Sequence, residues 1–120
     1  MSELKIGFVI TMYNEYWTVL QSINNLKKAK NNIKCVVIHS SDDTTNNYLE
    51  QIKSNSDFYQ ALPNLGGKVH KDDLPSISLC RNYSAGFTKL YELDDFDFVI
   101  GLTGDTLILN VDDLISKVKP

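Results

Sequence analysis

Four short apolar runs alternate with longer segments of helical period along these 120 residues, and that alternation leaves few ways to fold. "KIGFVITM" (5–12), "IKCVVIH" (33–39) and "FDFVIGL" (96–102) are near-continuously apolar and rich in β-branched residues, as strands buried on both faces must be. "DFYQALP" (57–63) reads as a weaker strand. Between them the period changes. Segment 13–30 places Trp17, Leu20, Ile23 and Leu26 at helical spacing behind Asn14 as N-cap. Tyr48, Leu49 and Ile52 mark a second helix. Segment 77–93 puts Leu79, Tyr83, Phe87 and Leu90 on one stripe. Gly86 lies inside that stripe at a cost of ~1 kcal/mol, which close packing would offset. Asn110 and Asp113 form a reciprocal cap before "VDDLISKV". Segment 64–76, rich in Gly, Pro and charge, reads as a loop.

The resulting order, β-α-β-α-β-loop-α-β-α, predicts a three-layer α/β/α fold with a mainly parallel sheet and right-handed crossovers. Ligands of such sheets bind at the carboxyl ends of the strands. Here those ends are Thr11 to Glu15, His39 to Asp43, the end of the third strand, and Thr103 to Thr106.

The length fits one domain, 1–120, and no internal repeat divides it. A net charge of -3 supplies no field for nucleic acid or an anionic membrane. No apolar run approaches the ~20 residues of a membrane span. The first residues lack a basic start and a small-residue cleavage site, so a cytoplasmic location is expected. Cys35 falls in a strand and Cys80 in a helix, which predicts two buried thiols in a reducing compartment.

Several chemistries are excluded by what the residues do not spell. "TMYNE" after the first strand carries neither a G-x-G-x-x-G nor a P-loop lysine. A receiver domain needs an acidic pair there and an acceptor Asp after the third strand, and neither is present. His39, His70, Cys35 and Cys80 lack close metal-ligand spacing. No nucleophile elbow occurs. The pairs Asp42/Asp43, Asp72/Asp73, Asp94/Asp95 and Asp112/Asp113 read as solvated turns and helix starts.

Taken in order, four short motifs resemble the nucleotide-binding half of the family 2 inverting glycosyltransferases, which have the GT-A fold. Thr11-Met12-Tyr13-Asn14-Glu15 is similar to the family's T-x-Y-N-E entry, and "SSDDTT" stands where the family has an acidic turn facing the base. "CRNYSAGFTKL" resembles its A-R-N-x-G helix, and "FDFVIGLTGDTLILNVDDLISKV" resembles its strand, D-x-D turn and following helix. The resemblance implies a nucleotide-diphosphate sugar as donor, with a UDP-sugar first, and a glycan or other hydroxyl acceptor. It implies Thr11, Tyr13, Glu15, Ser40, Asp42, Arg81 and Gly104 as nucleotide contacts, and Asp105 as ligand of a divalent cation, Mn²⁺ or Mg²⁺. A hard cation bridging the diphosphate stabilises the charge of the leaving group, and carboxylate oxygen suits it. One carboxylate suffices where phosphate and water complete the shell. Arg81 has the planar fork that phosphate or a base carbonyl accepts.

This chain departs from the pattern in two places. Thr103 and Gly104 stand beside Asp105 where a second carboxylate is usual, and His39 and Ser40 stand where acid is expected. The family's catalytic base and acceptor half lie downstream of the D-x-D helix. The 120 residues therefore read as the donor-binding half of a longer transferase, or as a nucleotide- or glycan-binding module without turnover.

Overall fold

The computed structural model describes residues 4–29, 32–40, 46–63 and 76–118, the last with side chains from 79 to 117. Along them run β1 (Lys5–Met12), α1 (Tyr16–Lys27), β2 (Asn32–Ser40), α2 (Leu49–Asn55), β3 (Phe58–Leu62), α3 (Ser76–Leu93), β4 (Phe98–Thr103) and α4 (Val111–Val118). The strands form one parallel sheet in the order β3-β2-β1-β4. The α/β alternation read from the sequence is therefore the architecture.

The pleat explains why the central runs are apolar throughout. Ile6, Phe8, Ile10 and Met12 of β1, with Cys35 and Val37 of β2, pack against α1, α2 and α4. Val9, Val36 and Ile38 point the other way, to Leu90, Tyr83 and Phe87 of α3. Each such side chain stabilises the fold by ~1.5–3 kcal/mol when fully buried. The strand order reverses between β1 and β4, where open α/β sheets place their crevice.

On the α3 face the contact is unusually close because glycine stands at three points. A methyl group added at Gly86 would lie 2.3 Å from Val9 Cγ1, one at Gly7 2.9 Å from Leu90 Cδ1, and one at Gly101 2.8 Å from Tyr83 Cε1. The mid-helix Gly86 is thus a packing requirement, as its position suggested.

Local details differ from the sequence reading. The buried line of α1 begins at Tyr16 and runs through Val19, Leu20, Ile23 and Leu26. Trp17, one residue and ~100° further round, is 53% exposed. The N-cap is Glu15, not Asn14, and the Glu15 side chain does not cap the helix. In α3 the buried line is Asn82, Gly86 and Leu90, at i, i+4 and i+8. Leu79 is exposed. Cys80, two residues before Asn82 and so ~200° away on the helix, is exposed rather than covered. The apolar stripe missed this line because two of its three members are Asn and Gly. At α4, Asn110 Oδ1 accepts from the Asp113 amide at 3.0 Å, whereas the Asp113 carboxylate pairs with Lys117 at 3.1 Å. Among the described residues no helix is long and apolar enough to cross a membrane.

The two cysteines are free and chemically unlike. Burial, with Asp57 nearby, pushes the Cys35 thiol far above its ordinary range. Native protein treated with a thiol reagent is expected to take one label quickly, at Cys80, and a second only on denaturation. Mass spectrometry of the labelled peptides checks this, and rapid labelling of Cys35 would contradict its place in the core.

Candidate functional site

Thr11, next to last in β1, pairs in register with Thr103 at the end of β4, while Met12 at the end of β1 pairs with His39 of β2. Beyond these pairs the chain makes two turns that interlock. Residues 13–15 lead into α1, and residues 104–106 lead toward α4. A methyl group at Gly104 would lie 2.9 Å from Glu15 Oε1, 3.1 Å from Met12 Cβ and 3.1 Å from the Thr11 carbonyl oxygen. The two turns therefore pack closely at Gly104, where a side chain would displace the Glu15 carboxylate and crowd the Thr11 carbonyl. The second turn continues along α1. Ser22 Oγ donates to the Thr106 carbonyl at 3.2 Å and accepts from the Ile108 amide at 3.2 Å. Asn25 Nδ2 donates to the Ile108 carbonyl at 2.7 Å.

Asp105 stands at the tip, exposed to solvent. Its Oδ1 accepts from Thr103 Oγ1 at 2.6 Å, and Thr106 Oγ1 lies 3.3 Å from the same hydroxyl. Thr103, which stands where the resemblance places a second carboxylate, thus orients the Asp105 carboxylate with its hydroxyl. Among the described residues no group of three or more His, Cys, Asp or Glu side chains is arranged to hold a metal ion. The charged donor there is the single Asp105 carboxylate with the Thr103 hydroxyl bonded to it, so a hard cation would take most of its shell from phosphate and water.

The first turn is braced from two sides. The Tyr13 amide donates to Glu15 Oε1 at 2.7 Å. The Tyr13 carbonyl lies 3.0 Å from His39 Nε2 and accepts from it when that nitrogen carries the ring proton. The Tyr13 ring itself is 50% exposed. Thr11 and Ser40 are buried, so they contribute to the floor of the edge rather than its rim.

His39 is fully buried. Besides Tyr13, its Nε2 lies 3.1 Å from the Tyr16 hydroxyl and its Nδ1 2.6 Å from the Tyr59 hydroxyl. This cluster was not legible in the sequence, since its partners lie 20 or more positions away. Burial raises the Tyr59 phenol to about 12, with Tyr16 and Glu50 adding to the effect. The unfolded phenol ionises near its ordinary ~10. Tyr59 thus contributes stability that is fully present below pH ~10 and is lost as pH rises toward 12. Chemical denaturation across pH 8–12 is expected to show this alkaline loss, and Tyr59→Phe is expected to flatten it. An unchanged alkaline limb in the variant would assign the loss elsewhere.

Arg81 lies on the other side of the edge. Its Nη2 donates to the Pro63 carbonyl, just past β3, at 2.7 Å. Nε and Nη2 also donate to Asn82 Oδ1 at 3.1 and 3.0 Å. The guanidinium thus reaches the carboxyl end of β3 and ties α3 to it. Three strand spacings separate β3 from β4, roughly 14 Å, so Arg81 and Asp105 occupy opposite ends of the edge. Asp42 and Asp43 lie outside the described residues, as do His70, Asp72 and Asp73.

Comparison of the sequence with protein-family models and with curated proteins found no match.

Proposed function

We propose that this chain is a glycosyltransferase, or the donor-binding half of one, taking a nucleotide-diphosphate sugar together with a divalent cation. One observation carries the reading. At the point where the strand order reverses, the Tyr13–Glu15 turn and the Gly104–Asp105 turn interlock beyond the Thr11–Thr103 pair. The site motifs of β1 and β4, 90 residues apart in the chain, thereby become one surface. That surface has an exposed aromatic ring at one side and an oriented carboxylate at the other, as a base and a metal-bound diphosphate require.

In this reading Asp105 holds Mn²⁺ or Mg²⁺, and the cation supplies charge stabilisation to the departing diphosphate when bound. Tyr13 and Glu15 meet the nucleoside, and Arg81 meets it from the β3 side. The acceptor is a glycan or another hydroxyl compound. Use of a cytosolic nucleotide sugar agrees with the free thiols at Cys35 and Cys80, so the proposed location is the cytoplasm.

Titration calorimetry with UDP, ADP and GDP, each with and without Mn²⁺, tests the proposal. Binding of UDP that tightens at least tenfold with Mn²⁺ is the expected result. No heat with any nucleotide would overturn it. Donor hydrolysis or transfer assayed on the same protein separates a transferase from a binding module.

A further inference from the structure

We propose that His39 is a positioning residue that sets the backbone of Tyr13 and so aims its ring into the site. The geometry is specific. A carbonyl oxygen only accepts, so the 3.0 Å contact between His39 Nε2 and the Tyr13 carbonyl is a hydrogen bond in the ring form that carries its proton on Nε2, and the Tyr16 hydroxyl 3.1 Å away then accepts from the same N–H. The other ring nitrogen, Nδ1, meets the Tyr59 hydroxyl at 2.6 Å. A hydroxyl either donates or accepts, so this second contact survives in either charge state of the imidazole. The ring is further set edge-on to Tyr16, with centroids 5.3 Å apart at 83°. His39 thus links β2, β3, α1 and the turn after β1, and three of its contacts come from tyrosines.

The consequence falls on Tyr13. Its amide is held by Glu15 Oε1 and its carbonyl by His39, so both polar groups of its peptide frame are fixed while the ring stays exposed. A fixed backbone beneath an exposed aromatic ring lowers the entropy lost when a planar ligand stacks on it. The Glu15 carboxylate that holds the amide also lies against Gly104. Displacing the Tyr13 turn therefore disturbs the seat of the residue next to Asp105. His39 acts on the ligand only through Tyr13, and in this respect the inference rests on the nucleotide-binding reading.

Amide hydrogen exchange decides the positioning role without any ligand. In His39→Phe, which keeps a flat ring and removes both nitrogens, exchange at the Tyr13 amide is expected to rise on the order of tenfold. Exchange in the middle of β2, at Val36, is expected to rise much less. His39→Gln keeps an amide nitrogen able to reach the Tyr13 carbonyl and should restore most of the protection. Tyr59→Phe, a milder change should His39→Phe not fold, is expected to raise exchange locally in the same direction. UDP affinity in Mn²⁺ should follow the same ranking, weakest in His39→Phe and recovered in His39→Gln. Unchanged Tyr13 exchange, or a rise shared equally with Val36, would make His39 an ordinary core residue and overturn the proposal. The local exchange pattern in the variants, found together with no nucleotide binding by the wild-type protein, would support His39 as the brace of Tyr13 and overturn the functional reading instead.

Discussion

Asp105→Asn is expected to bind UDP equally well with and without Mn²⁺. The substitution keeps the shape and removes the charge. Asn Oδ1 still accepts from the Thr103 hydroxyl, so the turn that Asp105 caps at 2.6 Å should persist. With no charged oxygen left, the cation has only phosphate and water to hold it and no longer ties the nucleotide to the protein. Affinity in Mn²⁺ should therefore fall on the order of 10–100-fold, to the level of metal-free wild type, each tenfold being about 1.4 kcal/mol. Stability should change by less than ~0.5 kcal/mol, as for an exposed residue whose hydrogen bond is retained. A variant that keeps the full metal dependence would falsify the metal role, and a large drop in Tm would mark Asp105 as a structural turn residue.

Gly86→Val should produce the largest loss of stability among single substitutions on α3. Even the first carbon of a side chain at Gly86 meets Val9 Cγ1 at 2.3 Å and Cγ2 at 3.1 Å. Val9 has no room to yield. It is fully buried in a central strand and, being β-branched, has few χ1 choices. The helix must shift or the sheet must bend. Gly86→Ala gains ~1 kcal/mol of helix propensity, set against ~1–3 kcal/mol of overpacking, so it should be neutral to destabilising. Gly86→Val keeps less of the propensity gain and enlarges the clash, and should cost ~3 kcal/mol or more. At roughly 4 °C per kcal/mol this is more than 10 °C in Tm. Pairing Gly86→Ala with Val9→Ala should recover part of the overpacking, a coupling that a double-mutant cycle reads directly. Simple additivity in that cycle would show that the two residues do not collide.

The sequence made the sheet legible because the central strands must be apolar on both faces. Ile6, Phe8 and Ile10 look one way and Val9 the other, and no helix could present such a run without burying its whole circumference. Helix faces were less legible. Trp17 fits the same spacing as Leu20 and Ile23, yet Tyr16 takes the inward position, where its hydroxyl also meets His39. The buried line of α3 runs through Asn82 and Gly86, residues that no hydrophobic pattern selects. The candidate site was legible in its addresses, since turn chemistry after each strand is local. Its connections were not, because Glu15 against Gly104 and His39 against Tyr13 and Tyr59 join residues that only the folded sheet brings together.

Gly7, Gly86 and Gly101 do more than admit α3 close to the sheet; they key it in place. A helix seated on side chains of ordinary size can slide a little as rotamers change. A helix seated on glycine has less of that freedom, because Val9 already fills the space beside Gly86 that a side chain would take. Arg81 rides on this helix and Asp105 on the strand end beyond β1. The two then stand roughly 14 Å apart across three strand spacings of the sheet. A ligand that engages both ends must match that span in its own covalent length. The fold would accept or refuse a ligand by measure before any single contact is tested.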